Sequence, residues 1–115
     1  MGIKYSSGPY SPDRFKNLDY SKASPDRRYI KILKWYYENG ENDKTSAVTA
    51  VFKDRPIVAK AWASDTPREI LRGYATTFFG QLVNDDLLYA HKDGKKTLFS
   101  ITEKGEELLK KCGAI

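Results

Sequence analysis

Six positions between 73 and 84 carry small or neutral hydrogen-bonding groups: Gly73, Thr76, Thr77, Gly80, Gln81 and Asn84. They recur three and four residues apart, which places them on one face if a helix forms there. Amide side chains pair with adenine edges, and threonine can donate, accept or lay its methyl on thymine. Glycine lets a backbone come close to the duplex. Arg72 adds a cation one turn before Thr76. Together these groups suit the major groove of double-stranded DNA. The other reading is a solvated face on which Gly73 and Gly80 merely give way to packed neighbours. A mid-helix glycine costs about 1 kcal/mol against alanine, so either reading must supply a compensating contact.

Two clusters of cations could supply affinity without sequence preference. Lys92, Lys95 and Lys96 surround Asp93-Gly94, a pair favoured in two-residue hairpin turns because positive φ is needed there. At a hairpin tip these lysines can reach phosphates. They can equally protect a strand edge from aggregation. Arg27, Arg28, Lys31 and Lys34 fall together with Trp35 on one side of a helix; they suit either phosphate contact or solvation. Trp35 among them asks for cover, from the chain itself or from a partner.

Catalysis has little to work with. The chain holds one histidine, His91, and one cysteine, Cys112, so no disulfide can close within it and a tetrahedral N/S metal site lacks ligands. Asp85-Asp86 reads as a turn after a helix, and no glycine-rich phosphate loop occurs. The expectation is a protein with no catalytic residues, no cofactor, no metal and no small-molecule substrate.

The elements that must position these groups follow from length and periodicity. A chain of 115 residues with 40% hydrophobic and 30% charged side chains is one globular domain. No apolar run approaches the roughly 20 residues of a membrane span, and the first residues lack the apolar core of a signal peptide, which points to the cytoplasm. The net charge of +5 is uneven: residues 1–37 hold eight basic and three acidic side chains, while residues 38–66 hold four and five. Positive charge gathers toward the two ends, as when two segments flank a polyanion.

Residues 1–24 read as an extended basic and aromatic arm, with Tyr5, Tyr10, Phe15 and Tyr20 as anchors. Residues 25–115 read as the domain. Ser24-Pro25 opens a first helix whose apolar stripe is Tyr29, Ile32, Leu33, Tyr36 and Tyr37, stopped by Asn39-Gly40. A shorter helix over Ser46–Lys53, capped by Asp43 or Thr45, buries Val48, Val51 and Phe52. Residues 57–62 are ambiguous, with a lean to helix. Thr66-Pro67-Arg68-Glu69 is a capping box that starts a helix reaching Asp85, with Leu71, Tyr74, Ala75, Phe78, Phe79 and Leu82 inward. Strands Leu88–Lys92 and Thr97–Ile101 follow, and Thr102 caps a last helix from Glu103 to Lys111 with Leu108 and Leu109 inward. The class is mainly α (α+β): three helices, a two-stranded hairpin and a C-terminal helix.

Three stretches carry a resemblance: Leu82-Val83-Asn84-Asp85-Asp86-Leu87-Leu88-Tyr89, Lys92-Asp93-Gly94-Lys95-Lys96, and Phe99-Ser100-Ile101-Thr102-Glu103-Lys104-Gly105-Glu106. Together they resemble the second half of a winged-helix (winged helix-turn-helix) domain. There a recognition helix ends in a leucine-rich turn, and a basic hairpin leads into an Ile-Thr-Glu-Lys-Gly helix start. Residues 74–88 are also similar to the N-terminal winged helix of Mrr-type restriction proteins, without their nuclease pattern. The resemblance implies a sequence-preferring DNA-binding homodimer, such as a transcriptional regulator or an accessory factor of a phage or mobile element. Its third helix would enter the major groove and its wing would lie on the backbone. The rival reading is a winged helix that docks a protein partner through Trp35 and the aromatic arm, with no DNA.

Overall fold

The computed structural model describes residues 23–64 and 78–115. Their order is α1 (Arg28–Asn39), α2 (Lys44–Val51), α3 (Pro56–Trp62), α4 (Phe78–Asn84), β1 (Leu88–Asp93), β2 (Lys96–Ile101) and α5 (Glu103–Lys111). This is an α+β domain of helices, an antiparallel hairpin and a closing helix. The arm expected over 1–24 lies outside the described residues except for Ala23 and Ser24, as does the capping box at Thr66.

α1 is amphipathic. It buries Ile30, Ile32, Leu33 and Tyr36 and packs against α2, β2 and α5. It starts three residues later than Ser24-Pro25 suggests. Ser24 instead accepts the Arg27 N–H through its carbonyl at 3.1 Å, closing a turn, and no side chain caps the helix. Tyr37, expected inward, is exposed near the end of the helix, and Ile30 takes a core position that the expected stripe omitted. Gly40 ends α1 with φ 79°, and its N–H bonds the Tyr36 carbonyl.

Asp43 caps α2 by accepting the Ser46 N–H at 2.8 Å. The helix therefore begins two residues before the expected Ser46. Residues 57–62 are helical, opened by Pro56 in the first turn, where its missing N–H costs nothing. Lys44 donates to the Ala63 carbonyl at 2.8 Å and ties the start of α2 to the end of α3.

The core is aromatic at its centre. Phe79 of α4 meets Tyr36 of α1, Trp62 of α3 and Phe99 of β2, with ring centroids 6.4, 6.1 and 5.1 Å away. Burial pushes the Tyr36 phenol far above its ordinary pKa, with the Asp43 charge adding to the shift. Its hydroxyl donates to the Asp43 carbonyl at 2.8 Å, so this buried polar group is paired.

The hairpin pairs Leu88 with Ile101 and Asp93 with Lys96, one residue further toward the tip than expected on each strand. Its turn is Gly94-Lys95 rather than Asp93-Gly94. Only the first turn residue has positive φ (Gly94, 66°), the requirement of a type II′ turn. β2 is also bonded on its other edge, where Asn42 and Phe99 exchange N–H···O bonds of 3.0 and 2.8 Å. The segment between α1 and α2 is thus pinned to the hairpin.

The junction from α4 to the hairpin is a Schellman closure. Leu87 N–H reaches the Leu82 carbonyl at 2.9 Å and Asp86 N–H reaches Val83 at 3.0 Å. Asp86 takes φ 62°, a region that aspartate tolerates and β-branched residues do not. Asp86→Val should therefore cost about 1–2 kcal/mol in urea unfolding although the side chain is exposed. Asp86→Gly should cost nothing or add stability. Equal losses from both variants would place the effect in the carboxylate and not in the backbone.

Candidate nucleic-acid interface

The hairpin projects its cations from a braced base. Lys92, Lys95 and Lys96 are all exposed, while Thr97 and Phe99 on β2 are buried. Thr102 fixes the base in two directions: its hydroxyl donates to the Asp86 carbonyl at 2.6 Å and accepts the Gly105 N–H at 3.0 Å. Lys104 donates to the Asp85 carbonyl at 3.2 Å, satisfying one acceptor at the end of α4. Each residue of the Thr-Glu-Lys-Gly run other than Glu103 therefore has an assigned local task.

Lys96 is not wholly free for a ligand. The Asp43 carboxyl is held below its ordinary pKa, first by the Ser46 hydrogen bonds and further by the positive charge of Lys96. Lys92 and Lys95 make no ion pair among the described residues. His91 lies on the outward face of β1, stacked on Tyr89 with ring centroids 5.5 Å apart. Its Nε2 sits 3.3 Å from the Glu41 carboxylate, a second link between the hairpin and the α1–α2 connection.

On α1, Arg27, Arg28 and Lys31 are exposed and Lys34 is half-buried. Trp35 is half-buried too, packed against the core with its ring 5.1 Å from Tyr36. Cover for this tryptophan thus comes in part from the domain. Cys112 is half-buried and its thiol donates to the Leu109 carbonyl at 3.5 Å.

The outward face expected on the helix ending at Asp85 needs correction. Gln81 is only 5% exposed, and Gly80 is buried. Gln81 Nε2 donates to the Asp85 carboxylate one turn on, while Oε1 is buried with no partner among the described residues. Phe79 and Leu82 do face inward as expected, but Phe78 turns out and lies flat against Trp62 at 4.5 Å. The physical reason is that α4 has neighbours on two sides, α3 through Trp62 and the hairpin through Phe99, so no single stripe describes its burial. Of the expected base-reading groups Asn84 remains exposed, whereas Arg72, Gly73, Thr76 and Thr77 lie outside the described residues.

Among the described residues no three or more His, Cys, Asp or Glu side chains gather as a metal site would need. No helix among them is long and apolar enough to cross a membrane. No protein-family model, curated protein or solved structure matches the chain.

Proposed function

We propose that this chain is a double-stranded DNA-binding protein of winged-helix type, with the hairpin as its wing. The carrying observation is the hairpin itself: three exposed lysines at and beside the tip, on strands locked to the helical core by Thr102, Gly105 and the Asn42–Phe99 bonds. A braced cationic projection meets phosphates with little ordering cost. Arg27, Arg28 and Lys31 add a second exposed cationic face on α1. Two copies on one duplex would double these contacts, and Trp35 and Tyr37, both incompletely buried, are described aromatics that such a pairing could cover.

The test is fluorescence anisotropy on labelled duplexes of several sequences. Lys92→Ala with Lys95→Ala should weaken all of them alike and lower the slope of log affinity against log salt by up to about two. Lys96 is left in place because Asp43 uses its charge. A double variant that binds like the parent would remove the wing from the interface.

A further inference from the structure

Gln81 and Gly80 are buried, so among the described residues the expected base-reading face keeps only Asn84, and another pair of helices offers a fuller one. α2 and α3 are joined by the four residues Phe52–Arg55, the turn length of a helix-turn-helix. Lys44 bonds the Ala63 carbonyl, and the Phe52 and Trp62 rings stand 5.6 Å apart, so the pair is fixed as a unit. The inward positions of α3 are Val58, Ala59 and Trp62.

Its outward positions are unusual. Ile57 is 84% exposed, the most exposed of the large hydrophobic residues described. Pro56, Lys60 and Ala61 share its side of the helix and are exposed as well. Lys60 lies three residues after Ile57, near one turn on, and Ala61 leaves room beside it for close approach. Lys53 and Arg55 in the turn are exposed, with Asp54 as the acidic residue among them. α2 adds outward Thr45, Ser46 and Thr49, hydroxyl groups of the kind that bond phosphate oxygens. The exposed positions of the two helices and their turn are thus mainly cationic and hydroxyl-bearing, with Ile57 the one large aliphatic group among them.

We infer that α2 and α3 are the base-reading unit, with α3 in the major groove, Lys60 on base edges or phosphates and Ile57 against thymine methyl groups. The inference rests on the DNA reading proposed above and names the element that would carry its sequence preference. A helix about 10–12 Å across fits a major groove about 12 Å wide. The thymine methyl is the largest apolar group in that groove, and it gives a bare isoleucine a reason to face water in the free protein.

The experiment uses the full chain and the tightest duplex selected from a randomised pool. Replacing thymine by uracil in that duplex removes only the methyl groups. The parent should lose roughly five- to tenfold in affinity on the uracil duplex. Ile57→Ser should lose about as much on the thymine duplex and little more on the uracil one. Lys60→Ala should weaken both duplexes equally. Ile57→Ser removes no core contact, so an unchanged thermal transition confirms that its fold is kept. If the parent binds duplex DNA but ignores both the uracil exchange and Ile57→Ser, this inference fails and the DNA reading stands. If Asn84→Ala alone removes sequence preference, α4 is the reader and the inference fails. If no duplex binds at low salt, the DNA reading fails first and takes this one with it.

Discussion

Replacing Gly105 with alanine should destabilise the domain by about 2–3 kcal/mol, the largest loss expected from adding a single methyl group here. Helix propensity argues the opposite way, since alanine in a helix is worth about 1 kcal/mol over glycine. Space decides the sign. A Cβ on Gly105 would stand 2.5 Å from the Leu87 carbonyl oxygen and 2.7 Å from Ile101 Cγ1. The first of these is backbone, and it is already engaged: Thr102 N–H donates to Leu87 O at 3.1 Å. Relieving the overlap must therefore push α5 off the hairpin base and stretch the Thr102 bonds that hold it. At several degrees per kcal/mol for a domain near this size, the melting temperature should fall by roughly 10 °C. Glu107→Ala, at an exposed position of the same helix, is the control and should change little. A Gly105→Ala protein as stable as the parent would mean that α5 does not approach the hairpin this closely.

Duplex binding should fall steeply with salt, and this is the largest effect expected on function. Each phosphate neutralised by a lysine or arginine releases a condensed counterion, so log affinity declines by about 0.9 per contact per tenfold rise in salt. Exposed cations on three elements are available: Lys92 and Lys95 on the hairpin, Arg27, Arg28 and Lys31 at the start of α1, and Lys53, Arg55 and Lys60 on α2–α3. For about four to six contacts, a fourfold rise in salt should weaken binding by roughly two to three orders of magnitude. Anisotropy titrations at several salt concentrations measure the slope directly. A flat response, or no binding to any mixed-sequence duplex at low salt, would end the DNA proposal and favour a protein partner.

Local patterns in the sequence fared well wherever the deciding interaction is itself local. Thr102 caps α5 as expected because the bond runs to Gly105, three residues away. Leu108 and Leu109 face inward because a terminal helix packed on one side has one stripe. The hairpin and the helix at 57–62 were also legible, although the turn fell one residue later than its Asp-Gly signal. The Asn42–Phe99 bonds lie beside the same hairpin and constrain its partner strand, a contact that no short-range turn rule includes.

The candidate site was less legible, and the failure has a definite cause. A 3.6-residue period reveals which side of a helix is apolar, but α4 is enclosed from two directions, by Trp62 and by Phe99. Periodicity alone therefore puts Gln81 outward, whereas packing from elsewhere in the chain buries it. The α2–α3 face escapes this reading for the converse reason: its cations lie inside a longer stretch, 38–66, that is slightly acidic in total, and charge summed along a chain conceals how side chains divide between faces. One signal is present: Ile57 is followed one turn on by Lys60 and the small Ala61, where a buried stripe would repeat a large apolar residue. By itself the sequence determined the described helices and hairpin, the Thr102 cap and the cationic tip, because those depend on neighbours within a turn or two; the start of α1 does not follow its Ser24-Pro25 signal. Only the tertiary structure decided which helix faces remain open to a ligand, because burial is a property of what packs from elsewhere in the chain.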